Sequence, residues 1–144
     1  MGAGSGRYAI APWKGGKRWV YSVTYDEGLQ ALLDETLEVH RRWGIPGHVS
    51  LVARDLGRHR DVPGSSFDGM MILSKPEIEA LCQEGWGVSC HSMTHTGFTR
   101  ENARYEVVQS RKGLEDGLGK PISMFIVPGD NNNYPLSREF AEEA

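Results

Sequence analysis

The sequence has little of several features that define whole classes of protein. It carries 16 Lys and Arg against 19 Asp and Glu, a net charge of −3 over 144 residues, so it lacks the basic excess typical of nucleic-acid-binding proteins. No stretch approaches the ~18 consecutive apolar residues of a membrane-spanning helix. Two cysteines are too few for a disulfide scaffold. We therefore expect a globular protein with no nucleic-acid partner and no membrane span.

The start of the chain has neither the charged nor the apolar segment of a secretory signal. Cytoplasmic location is then the default expectation. We expect residues 1–7, which are mostly small, to be a flexible segment. Residues 8–144 have the length of a single domain, since domains run to ~100–200 residues.

Strand-like and helix-like patterns alternate along the chain. Strands are predicted at residues 19–25, 48–53, 86–90 and 121–127, and helices at residues 29–43, 74–84, 101–114 and from residue 136 onward. The first strand is expected to be buried because its residues are β-branched and aromatic. This order predicts an α/β fold with a parallel sheet, either open or closed into a barrel.

Several local expectations follow from spacing. In the first helix we expect Val39 and Trp43 on the apolar face and His40 on the solvated face. Gly44 is expected to end this helix. In the helix at residues 101–114, Tyr105 is expected to face inward. Residues 54–69 are rich in Gly, Ser and Pro and predict a long surface loop, a type that is often functional.

Polar residues follow three of the predicted strands. Asp26 and Glu27 follow the first, His91 and His95 follow the third, and residues 128–131 follow the fourth. In parallel α/β folds functional groups gather at the carboxyl ends of strands. We therefore expect these groups to share one edge of the sheet.

The two histidines are candidate metal ligands. Residues four apart lie on one side of a helical turn, so both imidazoles can reach one ion, and imidazole suits zinc, iron, nickel and cobalt. The alternative is that they are ordinary surface or hydrogen-bonded histidines. Asp26 and Glu27 could divide the roles of base and ligand, or they could simply end a strand as solvated acids. Two histidines with one carboxylate would leave positions open for water, as in catalytic sites.

These stretches resemble a known family. Residues 20–28, ending Thr24-Tyr25-Asp26-Glu27-Gly28, resemble the T-F-D-D-G motif of the polysaccharide deacetylase superfamily, the NodB-homology domain of carbohydrate esterase family four. His91-Ser92-Met93-Thr94-His95 matches its H-[ST]-x-x-H motif, and residues 122–128 are similar to the strand before its third motif. The resemblance implies a distorted (β/α) barrel that removes acetyl groups from N-acetylated sugars, or cleaves related amides, with a divalent metal.

The resemblance also implies residue roles. Asp26 takes the place of the catalytic base, and Glu27, His91 and His95 take the places of the metal ligands; zinc is the expected metal, with cobalt or nickel as alternatives. Ser92 would orient the loop from outside the ligand set. Pro128, Asp130 and Asn131 would support the site or contact substrate, although a turn is the simpler role for the last two. Family members commonly act at the cell envelope or outside the cell.

The chain departs from the family pattern in ways that keep an alternative open. Glu27 replaces an aspartate, and residues 125–129 lack the arginine that tethers the base. The later motifs, including the acid histidine, would follow Ala144, so we expect residues 8–144 to be an N-terminal portion of a partial barrel. The alternative to an enzyme is a relative that binds carbohydrate or metal without turnover. The sequence leaves the oligomeric state open.

Overall fold

A computed structural model describes residues 13–129 and 133–141. Its centre is a parallel sheet of three strands in the order β1 (Thr24–Tyr25), β2 (His48–Leu51) and β3 (Gly87–Cys90). Helices α1 (Leu32–Glu35) and α2 (Leu37–Trp43) connect β1 to β2, and α3 (Lys75–Gln83) lies between β2 and β3. A π-helical turn (Tyr105–Gln109), α4 (Ser110–Leu118) and α5 (Asn133–Ala141) follow. The predicted α/β alternation and parallel sheet are therefore confirmed.

The fourth predicted strand is reduced to a single bridge. Phe125 pairs with Cys90 in the parallel sense, and the Ile126 N–H donates to the Cys90 carbonyl at 2.8 Å. Residues 124–126 therefore extend the sheet beyond β3 without forming a regular strand. Across the described residues the sheet stays open, which fits a partial barrel.

The first predicted strand is largely wrong. Only Thr24 and Tyr25 form it, and Trp19 and Tyr21 are 75% and 76% exposed. The cause is the sheet order: β1 is the outer strand among the described residues and has β2 on one side only. Aromatic and β-branched side chains favour a strand only where a partner strand covers them.

The predicted helix at residues 29–43 is two helices. Thr36 leaves the helical conformation, with φ −125°, and its hydroxyl donates to the Leu32 carbonyl, a local bond that competes with the helix. The expected stop at Gly44 is confirmed, with φ +60°. The expected faces are wrong, because Val39 and Trp43 are exposed and His40 is buried.

His40 is buried because both of its ring nitrogens have partners. Nε2 lies 2.8 Å from the Tyr25 hydroxyl and Nδ1 lies 2.7 Å from the Ile45 carbonyl oxygen. The ring also lies against that of Trp86, with centroids 4.6 Å apart. A satisfied polar ring can be buried at little cost, and this pairing is invisible in helical spacing.

The start of α3 agrees with its sequence. The Glu77 carboxylate accepts hydrogen bonds from the backbone N–H and the hydroxyl of Ser74, which is a capping box. Pro76 occupies the first turn. The core lies where the helices pack on the sheet, and its fully buried aliphatic side chains include Val49, Leu51, Leu73, Ile78, Leu81, Leu114 and Ile122.

The helix predicted at residues 101–114 begins with the π-helical turn. Tyr105 is 48% exposed, against the prediction, while Glu106 is 2% exposed. The wider turn inserts one residue relative to α-helical spacing, so the face that points inward is shifted. The carboxylate of Glu106 is buried as a result of this shift.

Candidate active site

The ends of β1 and β3 bring three potential ligands together. Glu27 follows β1, and His91 and His95 follow β3. One carboxylate oxygen and one nitrogen from each ring all lie within 4.8 Å of one another. The two imidazole centroids are 4.9 Å apart. The expected convergence of strand ends is present in the structure.

Glu27 and His91 are the two buried members of this cluster, and His95 is partly exposed. Its Oε1 lies 2.8 Å from Nε2 of His95, and its Oε2 accepts a hydrogen bond from the guanidinium of Arg60. Burial raises the pKa of Glu27, but the hydrogen bond to His95 and the positive charge of Arg60 outweigh it and lower the pKa below its usual value. The carboxyl is therefore held in its ionised, ligating form.

His91 is oriented by the main chain. Its Nδ1 lies 2.8 Å from the Ile126 carbonyl oxygen, so Nδ1 carries the proton and Nε2 keeps a lone pair for a ligand. Burial lowers the pKa of His91, and the bond to Ile126 and the charge of Asp26 oppose it only in part. The ring is thus kept neutral, as ligation requires.

The segment that joins the histidines is a loop and not the expected helical turn. Ser92 and His95 have φ of +71° and +59°, and Glu27 has +73°. These three are the positive-φ residues other than glycine in the described part of the chain. A positive φ is unfavourable for residues other than glycine, and residues with this conformation are enriched at functional sites. The backbone conformation therefore points to these three positions as a candidate site, whatever their residue types.

Two side chains hold this loop in shape. Ser92, fully buried, accepts a hydrogen bond from the His95 N–H at 2.9 Å, and the orienting role expected for it stays a prediction. Glu106 accepts from the N–H groups of Met93 and Thr94 and from the Thr94 hydroxyl, at 3.1, 2.9 and 2.6 Å. Glu106 could not be predicted from helical spacing, because its burial depends on the π-helical turn.

Asp26 differs from its neighbour. It is exposed, it lies near enough to His91 to influence that ring, and it lines a cleft of about 190 Å³ with Leu29 and Thr36. An accessible carboxylate beside a ligand cluster can accept a proton.

Among the described residues, the remaining predicted site residue lies outside the cluster of Glu27, His91 and His95. Pro128 is buried, so within this structure it can support the site but presents no surface to a substrate. Asp130 and Asn131 lie outside the described residues. Cys90, which precedes His91, is buried and donates from its Sγ to the Ser110 hydroxyl.

The residue that sequence reasoning missed most completely is Arg60. It lies 33 positions after Glu27, inside the loop at residues 54–69, and its side chain is 1% exposed. No spacing rule connects a loop arginine with a strand-end carboxylate. The only signal was the length of the loop itself.

The sequence and the fold were compared with those of known proteins. The family model for polysaccharide deacetylase matches residues 14–142. The chain belongs to the polysaccharide deacetylase family. No curated protein sequence gives a significant match.

Solved deacetylase structures share the fold. The structure of IcaB from Ammonifex degensii superimposes with a TM-score of 0.64 at 18% identity, over 82% of this chain and 55% of that one. The de-N-acetylase from Aggregatibacter actinomycetemcomitans has a TM-score of 0.65 at 10% sequence identity, and the match covers 92% of this chain and 68% of that one. The BpsB deacetylase domain from Bordetella bronchiseptica has a TM-score of 0.61 at 12% sequence identity, and the match covers 81% of this chain and 59% of that one. Identities this low show a shared fold, and with it the predicted partial barrel is confirmed.

This deacetylase-family chain spans little more than half the length of the IcaB chain. Among the described residues, none of the helices has the length and apolar character needed to cross a bilayer.

Proposed function

We propose that this chain forms the metal-binding part of a deacetylase that removes acetyl groups from N-acetylated sugars by hydrolysing a carbon–nitrogen amide bond. The observation that carries the proposal is the convergence of Glu27, His91 and His95, with ligating atoms within 4.8 Å of one another at the strand ends. Family membership supports the reaction class, and the geometry supports the residues.

The donor set fits a divalent transition metal. Two imidazoles and one carboxylate form a three-ligand set that leaves room for water, which is the pattern of catalytic zinc sites. The lone pair on His91 Nε2 is available because Nδ1 is engaged by Ile126. Zinc is the proposed metal, and cobalt and nickel take the same donors.

The chain's own residues then have distinct tasks. A divalent metal held there would lower the pKa of a bound water to ~7 and polarise the acetyl carbonyl. Asp26 would accept the proton of the attacking water, since its carboxylate is exposed and close to His91. Ser92 and Glu106 keep the histidine loop rigid. The group that protonates the departing amine is unassigned among the described residues.

A second candidate function is binding of carbohydrate or metal without turnover. It is favoured by the absence of an arginine from residues 125–129 and by Glu27 in place of the usual aspartate. The single-domain boundary at residues 8–144 and an envelope location, implied by the resemblance, stay predictions.

The deciding experiment measures acetate release from an N-acetylated oligosaccharide by the full chain, with Zn²⁺ and with chelator. We expect turnover only with Zn²⁺ and a loss of ~10²–10⁴-fold in Asp26→Asn, while Asp34→Asn, an exposed aspartate on α1, keeps activity. Zn²⁺ binding without acetate release would favour the binding-only function. Absence of Zn²⁺ binding would exclude the metal site altogether.

A further inference from the structure

A buried arginine in the loop after β2 faces the carboxylate that the metal site depends on. Arg60 and Glu27 have side chains 1% and 7% exposed, and the guanidinium donates to Oε2 of Glu27. The other oxygen, Oε1, faces His95. The two oxygens of the Glu27 carboxylate therefore contact different partners, Oε1 with His95 and Oε2 with Arg60.

The backbone explains how so distant a residue reaches the site. Residues 69–73 lie between two other segments in an antiparallel arrangement, and they hydrogen-bond to both. One neighbour is residues 28–30, which begin directly after Glu27, and the other is residues 57–60. The bonds, each given as N–H to carbonyl oxygen, are Gln30 to Met71 (2.9 Å), Leu73 to Gly28 (2.8 Å), Gly57 to Leu73 (3.0 Å), Arg60 to Met70 (2.9 Å), Ile72 to Arg58 (2.9 Å) and Gly69 to Arg60 (2.8 Å).

These three antiparallel segments form a ribbon, and hydrogen bonds within it fix the main chain of Arg60 through both its N–H and its carbonyl oxygen. Only the side-chain torsions of the arginine stay free, and burial removes most of that freedom. Its Nε has no hydrogen-bond partner among the described residues, while Nη1 of the guanidinium donates to Glu27. A buried charge without a partner would be strongly unfavourable, which makes the pairing mutual.

We infer that Arg60 is a positioning residue for the proposed metal site, holding Oε2 of Glu27 so that Oε1 alone is presented to the histidines. This inference rests on the proposed function. It also accounts for the longer side chain at position 27: glutamate has one more torsion than aspartate, and the contact with Arg60 fixes that torsion. Loss of partners behind the ligands of a metal site typically weakens metal affinity by ~10–100-fold.

The test compares Zn²⁺ affinity by chelator competition, and the visible spectrum of the Co²⁺-loaded protein, in wild type, Arg60→Met and Arg60→Lys. Methionine keeps most of the volume without charge, and lysine keeps the charge without the planar fork. We expect Arg60→Met to weaken Zn²⁺ binding ~10–100-fold and to change the Co²⁺ spectrum, with Arg60→Lys between it and wild type. Arg41→Met, which breaks an exposed Arg–Glu pair with Glu84, should leave both readouts unchanged.

A second measurement needs no metal. With chelator present, a double-mutant cycle of Arg60→Met and Glu27→Gln compares unfolding midpoints, and we expect the double variant to be more stable than the sum of the single changes predicts. If Arg60→Met proves unfolded, recovery of folding in the double variant supports the pairing. Additive effects, or a folded Arg60→Met with wild-type Zn²⁺ affinity and Co²⁺ spectrum, would overturn the inference. If wild type binds no Zn²⁺ while the cycle shows coupling, the proposed function fails and the hold of Arg60 on Glu27 stands.

Discussion

The carboxylate of Glu106 accepts two hydrogen bonds from Thr94, one from the backbone N–H at 2.9 Å and one from the hydroxyl at 2.6 Å. Thr94 lies between the two candidate metal histidines, and Glu106 lies on the π-helical turn before α4. The relationship links an irregular helix to the shape of a loop whose ends carry the ligands. Its consequence is that Glu106, which is not one of the candidate ligands, holds the residue directly before His95.

Replacing Glu106 by glutamine should therefore loosen the loop. Glutamine has one acceptor oxygen where glutamate has two. When that oxygen accepts from the N–H groups of Met93 and Thr94, the amide N–H₂ faces the Thr94 hydroxyl, which loses its present acceptor. A hydrogen bond of this kind contributes ~0.5–1.5 kcal/mol, so we expect a loss of that order in the free energy of unfolding. Zn²⁺ affinity should fall with it. Urea unfolding and chelator competition measure the two effects.

The matched control for Glu106 is Glu79, whose carboxylate makes an exposed pair with Lys75 one helical turn away. Glu79→Gln should change the free energy of unfolding by less than ~0.5 kcal/mol. Equal stability of the two glutamine variants would show that the Glu106 contacts do not hold the loop.

Two pairs of residues show which parts of the site could be predicted from the sequence and which could not. The convergence of Glu27 and His91 was predictable, because parallel strands end at the same edge and both residues follow strands. Their proposed roles came from motif resemblance. Arg60 and Glu106 were not predictable: one reaches the site through a ribbon of long-range backbone bonds, and the other faces inward only because a π-helical turn breaks the 3.6-residue period.

The errors in the fold have a similar origin. Propensity predicted a strand at residues 19–25, but most of that segment lacks a partner among the described residues. Spacing placed His40 in solvent, but Tyr25 and Ile45 satisfy its ring and bury it. Local patterns describe one segment at a time, while both outcomes depend on a second segment distant in sequence.

The two cysteines should differ sharply in reactivity. Burial raises the pKa of the Cys90 thiol to about 11, and the hydrogen bond with Ser110 opposes this only weakly. At pH 8 about one Cys90 in a thousand is then thiolate, the reactive form. Cys82 is half-buried and lies 2.8 Å from the Lys120 ammonium. Iodoacetamide followed by peptide mapping should find Cys82 modified and Cys90 intact; labelling of Cys90 in folded protein at a similar rate would contradict this.

The contact between Gly47 and Trp86 should be intolerant of a methyl group. A Cβ at Gly47 would lie 2.4–2.7 Å from carbon atoms of the Trp86 ring, so Gly47→Ala must displace a buried indole. Overpacking of this kind costs ~1–3 kcal/mol. We expect a lower urea midpoint and a red-shifted tryptophan emission, since Trp86 is 5% exposed in the wild type.

Gly113→Ala is the control for this prediction. Gly113 lies inside α4 and its added Cβ would meet nothing within 4 Å. Alanine favours helix over glycine by ~0.5–1 kcal/mol, so this variant should be more stable than wild type. A stability change of the same sign in both variants would mean that the tight contact at Trp86 does not limit position 47.

The capping box of α3 gives a prediction for pH dependence. Burial raises the pKa of Glu77, but hydrogen bonds from Ser74 and Gln30 outweigh it and lower the pKa below its ordinary value. A carboxyl whose pKa is lowered by folding stabilises the protein above its unfolded pKa of ~4.3, and this contribution disappears as the pH falls through the folded value. Glu77→Gln should therefore be less stable than wild type by ~0.5–1 kcal/mol at pH 7. Urea titrations from pH 7 to pH 3 should show that difference shrinking, and a difference that grows on acidification would contradict the assignment.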